Sequence, residues 1–228
     1  MVALVWDAVG DRFFETGVDH GVLYIPDQAS GAYTTGVAWN GLTGVTESPS
    51  GAEASAVYAD NIKYLNLISA EEFGATIEAF TYPEEFNAFD GSAAVGDGAG
   101  GSSGLFVGQQ ARGMFGLSYR TRVGNDVVGS DYGYKLHMVY GCVAAPTERA
   151  YATINDSPEA ITLSWEITTT PVPVTGFKPT ALLTVDSGLA DPVKLAALET
   201  ILYGDETTEA RLPLPDEIIG IFEGVPVP

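Results

Sequence analysis

"AITLSWEITTTPVPV", residues 160–174, alternates more regularly than any other part of the chain. Ile161, Leu163, Trp165 and Ile167 fall on one side, with Thr162, Ser164, Glu166 and Thr168 on the other. Successive side chains of an extended strand point to opposite faces, so this spacing predicts a strand with one apolar and one wet face. Pro171 and Pro173 remove backbone donors and end it. "FGATIEAFTY", residues 73–82, repeats the pattern, with Phe73, Ala75, Ile77 and Ala79 set against Thr76 and Glu78. Residues 114–124 and 134–144, "MFGLSYRTRVG" and "YKLHMVYGCVA", read as a hairpin across a turn at 125–133. Runs at 21–27, 36–45 and 56–69 add further strands, the last bent by Asp60-Asn61.

Helical signals are fewer. Pro83, the acidic pair Glu84-Glu85 and the stop Asp90-Gly91 mark a short helix over 83–92. In "LADPVKLAALETILYG", 189–204, Asp191 is placed to cap and Pro192 takes the first helical position. Val193, Leu195, Ala196, Leu198, Ile201 and Leu202 supply an apolar face before Gly204. Beyond it, "RLPLP" is expected to stay extended. The Gly-rich stretch at 91–104 reads as a mobile loop, and residues up to Asp19 as an arm anchored by Trp6, Phe13 and Phe14. The reading is therefore an N-terminal arm (1–19), a β-domain (20–185) and a C-terminal helical extension (186–228). The fold class is mainly β, α+β in detail, a sandwich or barrel with a flanking helix.

The chain of 228 residues has 30 Asp+Glu against 10 Lys+Arg, a formal net charge of −20. Tight binding to nucleic acid needs several cations that neutralise phosphates and release counterions, so DNA binding in that sense is excluded. An acidic wall past which a polyanion slides is compatible with the charge. The single cysteine, Cys142, rules out an intrachain disulfide and any multi-Cys zinc site. It is expected to be a buried structural thiol, in phase with Tyr134, Leu136, Met138 and Tyr140. No stretch reaches the roughly 18 apolar residues of a membrane span, so no membrane anchor is expected. The N-terminus lacks the features of a secretory signal, which points to a soluble protein made in the cytosol.

Catalytic patterns are missing. His20 and His137 cannot form a metal cluster alone, "GDGAGGSSG" lacks the Lys and spacing of a phosphate loop, and no G-x-S-x-G elbow occurs. No enzyme and no cofactor are expected. Segments poor at satisfying themselves, such as sheet edges, the Gly-rich loop and the two tails, commonly find partners in other copies of the chain. Self-assembly is thus the leading physical reading. A β-sandwich adhesin or carbohydrate-binding module, suggested by 24 aromatic residues (Trp 3, Tyr 11, Phe 10), is the alternative from another class.

Residues 39–92 and 108–172 carry "ADNIKY", "EAFTYPEEF", "GLSYRT", "INDSPEA" and "SWEITTTPV" in that order. Together they resemble the major tail proteins of long-tailed, non-contractile bacteriophages, over roughly residues 20 to 185. The resemblance implies a virion protein whose six copies join their sheets into a ring, the rings stacking into a tail tube through which the genome passes. Its other partners would be the tape measure protein and the tail terminator and distal tail proteins. The tube protein of a contractile tail or secretion machine is the nearest alternative.

The resemblance gives roles to residues. Asp60, Thr76, Glu78, Ser164, Glu166 and Thr168 are candidates for the lumen wall. The sparse cations on strands, Lys63, Arg120, Arg122 and Lys135, together with His137, are candidates for the subunit seam, where opposite charges fix register. Gly91, Asp97, Gly100, Gly101 and Gly104 are candidates for ring-to-ring contacts.

Overall fold

A computed structural model of the chain describes residues 3–27, 29–96, 101–154, 156 and 159–223. The chain opens with β1 (Phe13–Pro26), β2 (Tyr33–Ala38) and β3 (Leu42–Glu47). It continues through β4 (Ser50–Gly51), β5 (Ala54–Ala59), β6 (Ile62–Ile68), β7 (Glu71–Glu72) and β8 (Gly74–Ala79). A single 3-10 turn, Glu84–Phe86, leads into α1 (Asn87–Asp90). Then come β9 (Ala93–Gly96), β10 (Ser102–Val107), β11 (Phe115–Asn125), β12 (Gly129–Ala144), β13 (Leu163–Thr169), β14 (Leu182–Asp186), α2 (Pro192–Tyr203) and α3 (Pro215–Glu223). The protein is mainly β, as its alternating runs predict.

Eight strands form one antiparallel sheet in the order β2-β1-β11-β12-β13-β8-β3, with β14 paired to β12. β2 and β3 occupy opposite ends of this path, yet only residues 39–41 separate them in sequence. A chain that short spans at most about 14 Å, so the sheet has to roll until its two ends adjoin. Trp39 N–H donates to Gly21 O at 2.8 Å, bringing the β2–β3 turn onto β1. Inside the roll one core collects Leu23 of β1, Trp39, Ile77 of β8, Leu117 of β11, Val139 of β12 and Trp165 of β13.

The outer face of β1, β11 and β12 is buried as well. Val22, Tyr24, Leu136, Met138 and Tyr140 pack against Leu195, Leu198 and Leu202 of α2 and Ile218 of α3. Tyr24 Oη donates to the α2 carbonyl of Leu202 at 2.9 Å, so the one polar atom it buries is satisfied. The expected C-terminal extension is thereby a layer of the same body. Asp191 caps α2 as expected, accepting from Val193 and Lys194 N–H. Val193 and Ala196, expected on its apolar face, are exposed. At about 100° per residue, Leu195, Leu198 and Leu202 form the stripe that meets β12, and Val193 lies roughly opposite.

Other expectations change too. Phe13 to Asp19, read as arm, belong to β1 and pair with β11. The Gly-rich stretch contains β9 and the first part of β10, paired with each other. The turn expected at 125–133 is tighter, with Asn125 opposite Gly129. The segment after "RLPLP" is helical: Pro215 starts α3, where a missing N–H costs nothing, and Asp216 and Glu217 occupy its positive end.

Cys142 is buried, and burial pushes its thiol well above the usual range. It lies on the face opposite Tyr140, however, because β12 carries a bulge: Leu117 pairs with Val139 but Phe115 with Cys142. Gly141 makes the bulge with a φ of 62°, and a Cβ there would lie 2.3 Å from Thr170 O. Gly141→Ala is therefore expected to destabilise the fold by more than about 2 kcal/mol, read as a lower urea midpoint at unchanged slope.

Candidate assembly surface

The outer face of β3, β8 and β13 is wet. Register places Ser164 opposite Glu78 and Glu166 opposite Thr76 on one side, and Gly44 opposite Glu78 and Thr46 opposite Thr76 on the other. Five of the six lumen candidates, Thr76, Glu78, Ser164, Glu166 and Thr168, thus share one polar sheet face bearing two carboxylates. Asp60 is elsewhere: it forms, with Asn61, the tip of the β5–β6 hairpin. Both residues have positive φ, 50° and 64°, the type I′ geometry that suits a two-residue hairpin loop.

That hairpin is the far end of an arm. β3 and β8 pair in the body, β4 pairs with β7 beyond them, and β5 with β6 beyond those. Every residue from Ser48 to Glu72 except Val57 is exposed. The arm carries Tyr58, Ile62, Tyr64, Leu65, Leu67 and Ile68 on its two faces, with Tyr64 68% and Ile68 69% accessible. Two strands alone are marginal in water, and an apolar surface of this extent marks an interaction site. Lys63 sits on the same hairpin, opposite Tyr58.

A second, smaller arm is β9–β10, which exposes Leu105, Phe106 and Val107. Gly91 closes α1 with a left-handed φ of 82° at the root of this arm, Gly101 precedes β10 and Gly104 lies within it. Asp97 and Gly100 lie outside the described residues.

The remaining seam candidates engage acids within the chain. Arg120 donates to both carboxylate oxygens of Asp19, at 2.6 and 3.0 Å, and packs its guanidinium on the Tyr134 ring at 4.9 Å. Arg122 donates to the same Asp19 at 3.3 Å and approaches Asp131 at 3.8 Å. The Arg120 hydrogen bonds and charge, helped by the His20 ring, hold the Asp19 carboxyl down at about 2. Lys135 pairs with Glu15. Asp19 and Glu15 are partners of these cations that sequence reading missed; more than a hundred residues separate each from its cation, and no local signal marks them.

His137 is buried at the end of the inner core. It stacks on Tyr119 with ring centroids 4.7 Å apart, and its Nε2 lies 3.0 Å from Thr121 Oγ1. Its Nδ1 lies 3.5 Å from Glu47 Oε1, the atom to which Tyr119 Oη donates at 2.6 Å. Glu47 of β3 is thereby tied to β11 through Tyr119, while His137 Nδ1 of β12 has no hydrogen-bond partner among the described residues. Burial pulls the His137 pKa below its ordinary 6.5, against the pull of Glu47 and Glu15. No group of His, Cys, Asp and Glu among the described residues could hold a metal ion, and no helix there is long and apolar enough to cross a membrane.

No protein-family model matches the chain, and no curated protein matches it.

Two perturbed groups at this surface, His137 and Asp19, contribute to the acid profile. Unfolded His137 takes up a proton near 6.5 while the folded ring resists it, so its contribution is full above about 6.5 and declines as pH falls below that. Asp19, ordinarily near 3.8, contributes fully above about 4 and loses its contribution as pH falls towards about 2. Urea titrations from pH 2 to 8 should show both declines, with His137→Gln flattening the upper one and Asp19→Asn the lower.

Proposed function

We propose that this chain is the subunit of a self-assembled tube, the tail tube of a long-tailed virus, whose lumen passes nucleic acid without binding it. The observation that carries the reading is the arm from Ser48 to Glu72, which holds six large apolar side chains in water and almost nothing of itself out of it. Another copy of the chain is the natural cover for such a segment.

A sheet edge supports the same reading. Among the described residues β14 pairs only with β12, so its other side lacks a paired strand. Joining such edges around a ring removes them, as closure does in any barrel. The polar face of β3, β8 and β13 would then be the wall, with Glu78 and Glu166 presenting negative charge to the passing phosphates and no cation to release their counterions. The intrachain pairs of Arg120, Arg122 and Lys135 would stiffen β1 against β11 and β12 behind the seam. The tape measure, terminator and distal tail proteins would be its partners within a virion.

Electron microscopy of the purified chain at rising concentration is expected to show rings and stacked hollow tubes. Tyr64→Asp combined with Ile68→Asp should abolish them while shifting the melting temperature by no more than about 2 °C, because neither side chain packs in the body. A wild-type chain that stays monomeric at every concentration would overturn the reading.

A further inference from the structure

The root of the smaller arm holds a second feature. Asp90, at the end of α1, accepts from Trp165 Nε1 at 3.1 Å and from the Arg149 guanidinium, and Arg112 Nη1 lies 3.7 Å away. Arg149 also packs over the Tyr82 and Trp165 rings, at 5.6 and 5.9 Å. Arg112 is held by the Ala144 carbonyl, to which it donates at 3.1 Å. Two guanidinium groups thus share one carboxylate, leaving one positive charge in excess, in a chain that has only ten Lys and Arg. Both open onto one polar cavity of about 540 Å³, walled by Gly91, Ser92, Gln109 and Gln110.

The other shared carboxylate differs. Arg120 and Arg122 meet at Asp19, but Arg122 has Asp131 as well, so that cluster is balanced. Among the described residues, the account at Asp90 stays open by one charge.

Position decides what closes it. Residues 91–92 lead into β9 and residues 108–112 leave β10, so the cavity lies between the two stems of an arm that exposes Leu105, Phe106 and Val107. A partner that covers these apolar side chains also covers the cavity. Removing an unbalanced guanidinium from water is strongly unfavourable unless an anion accompanies it. A guanidinium fork fits a carboxylate with two parallel hydrogen bonds.

We infer that the Arg112–Arg149 cavity is a socket for an Asp or Glu side chain of a second copy of this chain, seated when the β9–β10 arm is covered. This rests on the assembly reading above. A second copy brings 30 acidic residues and a net charge of −20, so copies repel wherever a cation does not intervene. The socket supplies that cation at an apolar contact, where it orients one copy against the next.

Full-length Arg112→Lys, mixed as ¹⁴N and ¹⁵N chains and allowed to assemble, tests this by zero-length carbodiimide coupling and mass spectrometry. The socket predicts mixed-isotope peptides in which the new amine at position 112 is joined to an Asp or Glu of the other chain. Arg112→Glu should raise the concentration for half-assembly by about tenfold or more. If that variant fails to fold by circular dichroism, Arg112→Gln is read instead, with a rise in the same direction. Tubes from the wild type together with coupling only to Asp90 of the same chain, or wild-type assembly by the folded charge variant, would overturn the socket alone. No assembly by the wild type would overturn the parent reading and the socket with it.

Discussion

The double burial of β1, β11 and β12 is the constraint on which the rest of this structure depends. Alternate residues of β1 and β12 enter two different cores, one inside the rolled sheet and one under α2 and α3, while β11 between them buries Leu117 and Tyr119 inside and Gly116 and Ser118 outside. A one-residue slip would exchange the two sets, so register has to be fixed within a single residue. Where β12 passes from pairing with β14 to pairing with β13 the register does shift, and the bulge at Gly141 confines that shift to one place. The ion pair of Arg120 with Asp19 and the hydrogen bond of Tyr119 to Glu47 tie β1 and β3 to β11.

A body built this way has no need of its arms. Both cores are complete without residues 48–72 or β9–β10, and none of the described residues of β4–β7 or β9–β10 is buried by the body. Conformational entropy opposes ordering a segment that buries so little, which makes an external cover the economical explanation for apolar side chains kept there. The unpaired edge of β14 and the guanidinium by Asp90, uncompensated among the described residues, are incomplete in the same sense: one lacks hydrogen bonds and the other lacks charge. All three kinds of deficit can be met by copies of one chain.

Much of the fold was legible because it rests on local periodicity. The strand around Trp165, the wet face of Thr76 and Glu78, the hairpin of β11 and β12 and the cap of α2 all follow from spacing within a dozen residues. Helix α3 was legible in principle, since Pro215 with Asp216 and Glu217 is a start signal, but the prolines before it favoured an extended reading. The Gly-rich stretch hid β9 because pairing there is dictated by β10 across the hairpin and not by its own composition. Cys142 changed face through a bulge that only the partner strand reveals.

The candidate site was legible in its parts and not in its arrangement. Five of the wall candidates could be grouped from alternation, whereas Asp60 needed the turn geometry to be separated from them. Lys135 and Arg120 stood out as cations on strands, but Glu15 and Asp19 are brought to them by pairing across more than a hundred residues. The most direct test of the central claim is amide hydrogen exchange of residues 54–68 in dilute and in concentrated protein. Exchange that is fast in the dilute chain and becomes strongly protected on concentration is the predicted result, while equal and fast exchange at both would contradict the account.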